Sequence, residues 1–551
     1  MPVSGSWARA ERSCVAGLRR GPSVRLPVRR VGSWRAPTRA VAVKAPLGSY
    51  APELVAAGFA LEVDDAPLLH HWLNLADLAH VVTLREQDLI PSSAAARLVD
   101  VLIEAEAVPA ESFGYDPAYG ELYNCRERRF AEQIGDDAGW LHVARTRREA
   151  VRVAVRLRLR HDVLDLVEAA AGFCATASEV GERNATTYLA DQTYLQHAQP
   201  STFGHYLLAF VPPVERDLNR LLAELDLLDG SPAGVGSANG GRLGYDRDRA
   251  AELLGFGHVL EHTRDAMWQT DGVVAAVSAA TSLVVTLSKL AEDLEIWASD
   301  EFAWVELSDG HARTSVMMPQ KRNPYALGMV RAHAGILIGR LTGLLATSRT
   351  PSARSDGLIV AYGEVPRALT RATAATRLMA GVVGGVRADA DAMGRALDAS
   401  FTQATDIAEH VMSTRGLDYR SAYQVVAHAV RATAADGGSG RDITAERLDA
   451  AAVVVLGRPL GLDPDELADV VDPVAIVATR TGTGGAAPET VRGMAERFRN
   501  AAVQQLSAAR DRRERFASAE ADLVRTALAA PTAPADDHDP VEPVHDQDRR
   551  N

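Results

Sequence analysis

Cysteine is nearly missing from this 551-residue chain: Cys14, Cys125 and Cys174 are the only three. Their spacing fits neither a zinc site nor a disulfide framework, so a reducing, cytoplasmic setting is expected. Excess positive charge is missing too, and a net charge of −13 argues against nonspecific binding to nucleic acid. No stretch reads as long and apolar enough to span a membrane, and no membrane association is expected. The histidines are scattered and form no H-x-x-x-H or carboxylate cluster suited to a catalytic metal. Neither metal nor cofactor is expected. An alternating β pattern is absent over any long stretch.

Apolar material is ample. Hydrophobic residues make up 47% of the chain, and the length allows several helical layers and more than one core. Helical periodicity dominates. Val214, Leu218, Leu221 and Leu225 fall at steps of four and three, as do Leu283, Leu287, Leu290, Leu294 and Trp297. A third seam runs through Leu327, Val330, Ala334, Leu337, Leu341 and Leu344. Such heptad-like seams belong to antiparallel bundles. The third also carries Gly328, Gly335, Gly339 and Gly343, which weaken an isolated helix and suit one closely approached by neighbours.

The fold expected is therefore all-α, in three helical domains: residues 49–150, a long central bundle at 151–398, and a smaller domain at 399–525. Residues 1–48 are rich in Arg, Pro, Ser and Gly and nearly free of acids. A transit peptide shares that composition, but Pro22, Pro27 and Pro37 interrupt any amphipathic helix, so a disordered basic arm is expected. Residues 526–551, Pro- and Asp-rich from Pro531, are expected to be a disordered acidic tail.

The run Ser315-Val316-Met317-Met318-Pro319-Gln320-Lys321-Arg322-Asn323-Pro324 resembles a known lyase signature, and the chemistry which that resemblance implies is proton removal beside a carboxylate. Its prolines place Ser315 on a loop before a helix. A proton beside a carboxylate is barely acidic, so its removal needs a poised base and a site that stabilises a dianionic intermediate. A serine serves as that base only when desolvated and held near positive charge or helix N-termini. The run resembles the S-x-x-M-P-x-K-x-N signature of the fumarase/argininosuccinate lyase superfamily. Three further segments strengthen the likeness to its argininosuccinate lyase branch. Gln192 to Tyr206 resembles T-H-L-Q-x-A-Q-P-x-T-F-G-H-Y. Leu141 to Arg148 is similar to L-H-T-G-R-S-R-N, and Asp472-Pro473 with Gly484 to Pro488 resembles a D-P…G-G-T-A-P ending.

The resemblance implies a β-elimination that releases fumarate or a close relative from a small dicarboxylate. It also implies central bundles of four subunits packed as a homotetramer, each active site being assembled from three chains. Residue by residue, Ser315 matches the catalytic base, and Lys321 and Asn323 match the carboxylate-binding pair. Thr193 and Gln196 match positions that hold the other end of the fumarate moiety. Thr146 and Arg147 match the S and second R of R-S-R-N, an arginine being able to clamp a carboxylate with two parallel hydrogen bonds. A solvated helix end made of Arg145, Arg147 and Arg148 is the plainer account of Arg147. For His197 and His205, capping or support of neighbouring residues outweighs catalysis.

Departures from the pattern bear on substrate. Tyr194 stands where relatives carry histidine, and Gly328 where they carry the glutamate that pairs with it. Without the imidazole, that carboxylate would be a buried charge lacking a partner. A buried Tyr194 would need a partner for its hydroxyl. Either Tyr194 protonates the leaving group, or the leaving group needs no acid. Thr314 and Val316 replace smaller residues and should stiffen the loop. Asp77 stands at a serine position, Tyr123 at a histidine position, and Ser355, Val360 and Gly363 in the region that grips the arginine portion. The expected function is thus fumarate release from an N-substituted aspartate other than argininosuccinate. A cycloisomerase or another carbon–nitrogen lyase on the same fold, and an inactive structural homologue, are the alternatives.

Overall fold

The computed structural model describes residues Tyr50 to Ala529. The expected basic arm, with Cys14, and all but the start of the acidic tail lie outside the described residues. Within them the chain is mostly helical, as its periodicity predicts, and four two-stranded β pieces interrupt the helices.

The first helices are α1 (Ala66–Glu86), α2 (Ser92–Glu106), α3 (Leu122–Ile134) and the 37-residue α4 (Arg147–Arg183). A hairpin of β1 (Tyr188–Thr193) and β2 (Gln196–Thr202) leads into α5 (Phe203–Leu208) and α6 (Val211–Leu228). Next come the short parallel pair β3 (Gly230–Ser231) and β4 (His258–Val259), then α7 (Asp271–Trp297). After β5 (Val305–Glu306), a ribbon of β6 (Arg313–Thr314) and β7 (Arg322–Asn323) precedes α8 (Tyr325–Ser348) and α9 (Asp356–Gly385). Strand β8 (Arg387–Ala388) pairs back onto β5. Helices α10 (Ala404–Arg415), α11 (Tyr419–Ala435), α12 (Ala445–Leu456) and α13 (Pro488–Leu528) follow.

These elements form two compact units. One takes the described residues up to Arg158, Asp229–Gln269 and those from Glu514 onward; the other takes Leu159–Leu228 and Thr270–Arg513. In the first unit α1 packs on α2, and nearly every residue of α1 from Leu73 to Leu84 is buried. In the second, α7 is the hub. It packs against α6, α8 and α9, burying Leu283, Leu287, Leu290, Leu294 and Trp297. The α6 seam is buried throughout, and the α8 seam is buried except at half-buried Leu341. Also in this unit, Ile407, Val411, Val425, Val426 and Leu448 form a separate core under α10, α11 and α12.

The membrane expectation needs correction. Helices α7 and α8 are both long and apolar enough, by length and composition, to cross a bilayer. The amphipathic seams hid this property. Helix α7 buries its leucine face against α6, α8 and α9, while Ser278, Ser282, Lys289 and Glu292 are exposed on its other side. Helix α8 is different: Ile336, Ile338 and Leu345 are exposed on it. A Cβ added at Gly328, Gly335, Gly339 or Gly343 would meet nothing within 4 Å. The close neighbour inferred for those glycines is not supplied by the described residues of this chain.

Close approach is required at Gly204 in α5, where an added Cβ would lie 2.3 Å from the Gly181 carbonyl oxygen and 2.9 Å from the Ala185 nitrogen. Both are backbone atoms that cannot swing aside. Gly204→Ala is expected to destabilise by about 1–3 kcal/mol through overpacking, read as a lower unfolding midpoint in calorimetry. An unchanged midpoint would contradict this packing.

Candidate active site

Antiparallel pairing of Arg313 with Asn323 and Thr314 with Arg322 makes the ribbon whose loop carries Ser315. Thr314 is accommodated because β-branched residues suit a strand. The Ser315 N–H donates to the Lys321 carbonyl at 3.1 Å, and the Lys321 N–H to that of Met318 at 3.0 Å, closing the loop. The hydroxyl oxygen of Ser315 accepts from the backbone N–H of Met317 at 3.3 Å and of Met318 at 3.1 Å. Two N–H dipoles aimed at one oxygen favour negative charge on it. They also leave the hydroxyl hydrogen directed elsewhere. Ser315 is half-buried, while Val316 and Met317 are exposed at the tip.

Lys321 is exposed at the base of the loop. Asn323 donates one amide hydrogen to the Arg313 carbonyl at 3.0 Å, which leaves its other hydrogen free to face a ligand. Arg322 anchors the ribbon: it pairs with Glu306 and with Asp309 at 2.7 Å, and donates to the Leu307 carbonyl at 3.0 Å. Glu306 lies in β5 and is also paired with Arg387 of β8. The loop therefore hangs from a charged clasp while its apolar tip stays in solvent.

The β1–β2 hairpin turns through Tyr194 and Leu195, whose φ values of 54° and 58° are both left-handed. That is the backbone of a two-residue turn matched to strand twist, here without glycine. Thr193 and Gln196 close the turn opposite each other, and both are exposed. Tyr194 is fully exposed at 101%, so its hydroxyl needs no internal partner. Among the described residues no hydrogen bond joins residues 193–196 to residues 315–323. His197 stacks on Trp304, and burial lowers its pKa. His205 contacts Ser201 Oγ at 3.2 Å and the Gly484 carbonyl at 3.0 Å, while the cap of α5 comes from Thr202. Gly485 is required next to that contact, since a Cβ there would lie 2.1 Å from the Arg480 carbonyl oxygen. The supporting role expected of His205 is thus tied to the G-G pair.

Thr146 and Arg147 lie in the other unit. The Thr146 carbonyl and hydroxyl oxygens accept from the Glu149 N–H at 3.1 and 3.4 Å, so Thr146 stands at the start of α4. The first-turn amides of so long a helix favour an anion. Arg147 is hydrogen-bonded to Asn124 and lies 3.5 Å from Glu121. Arg148 pairs with Glu62 at 2.7 Å and Glu121 at 2.6 Å. Burial pushes Glu121 up despite both arginines. Arg145 is buried against Asp77 at 2.5 Å. The three arginines thus have three different surroundings and do not form one solvated end.

Two features escaped the sequence. Asp77 and Tyr123, read as separate changes at substrate positions, are hydrogen-bonded to each other at 2.8 Å inside unit one. Their paired departure was the available signal. Glu149, 1% exposed, accepts from the Gly234 N–H at 2.6 Å, and burial pushes its carboxyl from the ordinary 4.5 up to about 7. Nothing in its sequence context announces that burial. On α9, Val360 is exposed, Gly363 is buried and Ser355 is half-buried just before the helix. No group of three His, Cys, Asp or Glu placed to hold a metal occurs among the described residues.

Known proteins resemble this chain over most of its length. Residues 83–339 match the family described as Lyase, and residues 401–478 match Argininosuccinate lyase C-terminal. The chain is 37% identical over 420 residues to an argininosuccinate lyase of Halobacterium salinarum, covering 75% of this chain and 84% of that one. It is 31% identical over 430 residues to that of Methanococcoides burtonii, covering 77% and 86%. Among solved structures, an EDDS lyase variant with bound fumarate superposes with a TM-score of 0.77 at 26% identity, covering 88% of this chain and 96% of that one. A 3-carboxy-cis,cis-muconate lactonizing enzyme from Pseudomonas putida shares the fold, with a TM-score of 0.64 at 24% identity over 81% and 99% of the two chains.

The Glu149 carboxyl gives a pH test. Its folded pKa is raised, so the stability it contributes is full below pH 4.5 and is lost as pH rises through about 7. The span corresponds to about 3 kcal/mol. Glu149→Gln is expected to flatten the decline of the unfolding midpoint over that window. A decline as steep as that of the parent protein would contradict it.

Proposed function

The chain belongs to the argininosuccinate lyase family of the fumarase superfamily, and on that premise we propose that it is a fumarate-forming carbon–nitrogen lyase acting on an N-substituted aspartate other than argininosuccinate. The observation that carries this is the Ser315 oxygen receiving two backbone N–H groups within a loop tied to Lys321. Ionised serine is too basic to form unaided. Two fixed donors lower that cost before substrate arrives, because they need no reorganisation.

In the reaction, the Ser315 oxygen takes the proton from the carbon beside one carboxylate. The electron pair of that C–H bond forms the C=C bond of fumarate, and the C–N bond breaks with its pair going to nitrogen. Lys321 and Asn323 hold one carboxylate. Thr193 and Gln196 hold the other end of the dicarboxylate, and the α4 start with Thr146 and Arg147 offers a third anion-binding element. Tyr194, free at the hairpin tip, is available to protonate the departing nitrogen, and an amine already protonated in the substrate needs no such donor. Relatives named argininosuccinate lyase and an EDDS lyase holding fumarate support this class of chemistry. Ser355, Val360 and Gly363, standing where the resemblance implies polar partners for the arginine portion, support a substrate other than argininosuccinate.

The test is to mix the protein with fumarate and a panel of amines and nitrogen nucleophiles and follow fumarate absorbance. Ser315→Ala is expected to lower turnover about 10²–10⁴-fold, the usual contribution of a positioned base. Retention of parental turnover removes Ser315 as the base. Tyr194→Phe at near-normal turnover eliminates Tyr194 as an obligatory acid.

The same reading extends to assembly as a homotetramer with shared sites. Exposed Ile336, Ile338 and Leu345 and the open glycines of α8 are the support. Gly339→Leu is expected to reduce the mass measured by light scattering without lowering helix content. A variant of unchanged mass would contradict a packed interface at that face.

A further inference from the structure

The proposed carboxylate element at the start of α4 is held by a buried charge network, and the network explains two departures at once. Asp77 is fully buried in α1. Its Oδ1 accepts from Arg145 at 2.5 Å and from the Tyr123 hydroxyl at 2.8 Å, and its Oδ2 accepts from Arg126 at 2.7 Å. Arg145 also donates to the Tyr123 oxygen at 2.6 Å and to the Ala76 carbonyl at 3.4 Å. Burial alone would raise the Asp77 pKa, and Arg145 and Arg126 together bring it below its ordinary value. Phe113 and Phe130 flank the Arg126 guanidinium at 5.8 and 5.2 Å. An aspartate at this depth without these partners would be an uncompensated charge. Tyr123 supplies the third donor to this carboxylate, beside the two arginines.

What the network holds is the chain between it and Thr146. Ala144 has φ 60°, a left-handed conformation that is unfavourable for a residue bearing a Cβ. The related L-H-T-G-R-S-R-N run has glycine at this position. On one side the Val143 carbonyl accepts from His80 Nε2 at 3.0 Å, and His80 Nδ1 meets the Tyr245 hydroxyl at 3.2 Å. On the other side Arg145 is fastened to Asp77. A strained residue persists where its surroundings over-determine it, and such residues gather at ligand-holding segments. Ala144 lies two residues before Thr146 and three before Arg147.

We propose that the Asp77–Tyr123–Arg145–Arg126 network, acting through strained Ala144, positions Thr146 and Arg147 to bind one carboxylate of a dicarboxylate ligand. This rests on the lyase reading above. Tyr123 and Ala144 are positioning residues, since neither needs to touch the ligand.

Fumarate binding measured by titration calorimetry tests it independently of turnover. Tyr123→Phe, which removes one hydroxyl and little volume, is expected to weaken fumarate binding about tenfold, as for one misaligned charge-assisted hydrogen bond. Ala144→Gly relieves the left-handed strain. It is expected to keep or raise the unfolding midpoint and yet weaken fumarate binding severalfold. A purely structural role predicts the opposite pairing, with binding preserved wherever stability is preserved. If both variants bind fumarate within twofold of the parent, the proposal is overturned. Failure of the lyase reading shows elsewhere: Ser315→Ala would then turn over as the parent does, whatever the two variants bind. A parent protein that binds no fumarate overturns both.

Discussion

The buried stripe of one long helix sets the terms for the second unit. Leu283, Leu287, Leu290, Leu294 and Trp297 of α7 must be kept from water, and α6, α8 and α9 pack against it to do so. The hairpin and the serine ribbon adjoin these helices along the chain. The hairpin precedes α5 and α6, and the serine ribbon feeds directly into α8. A bundle core of this rigidity allows the working groups to sit on short irregular strands without loss of definition, which is how a rigid scaffold and a reactive loop coexist.

The serine loop shows the same economy on a smaller scale. Its shape depends on backbone hydrogen bonds, Ser315 to Lys321 and Met317 and Met318 to the serine oxygen. Side chains at its tip contribute nothing to that closure. Charge is kept at the base, in the Arg322–Glu306–Arg387 clasp, and apolar surface at the tip. The Met317 and Met318 N–H groups are directed at the serine oxygen, while Val316 and Met317 present their side chains to solvent.

Much of this was legible in the chain. The seams of α6 and α7 are buried residue for residue, since a helical stripe of leucines has few alternatives to burial. The serine signature could be read because its residue types are rare in combination. Burial of single polar groups was not legible. Nothing local says that Arg145 turns inward while Arg147, two residues on, stays half in solvent. That difference is made by Asp77 and Tyr123, 68 and 22 residues away along the sequence. The bilayer-spanning length and apolarity of α7 and α8 are not visible in their seams, because a heptad stripe describes one face and this property belongs to the whole helix.

The hairpin tip has a consequence for how this molecule can diversify. Tyr194 and Leu195 owe their placement to left-handed backbone angles and to the Thr193–Gln196 closing pair, and to no packing of their own rings or methyls. A position held by its main chain alone can exchange its side chain without disturbing any core. Selection is therefore free to trade acids, hydroxyls or amides at that one point while the serine loop on its separate ribbon stays as it is.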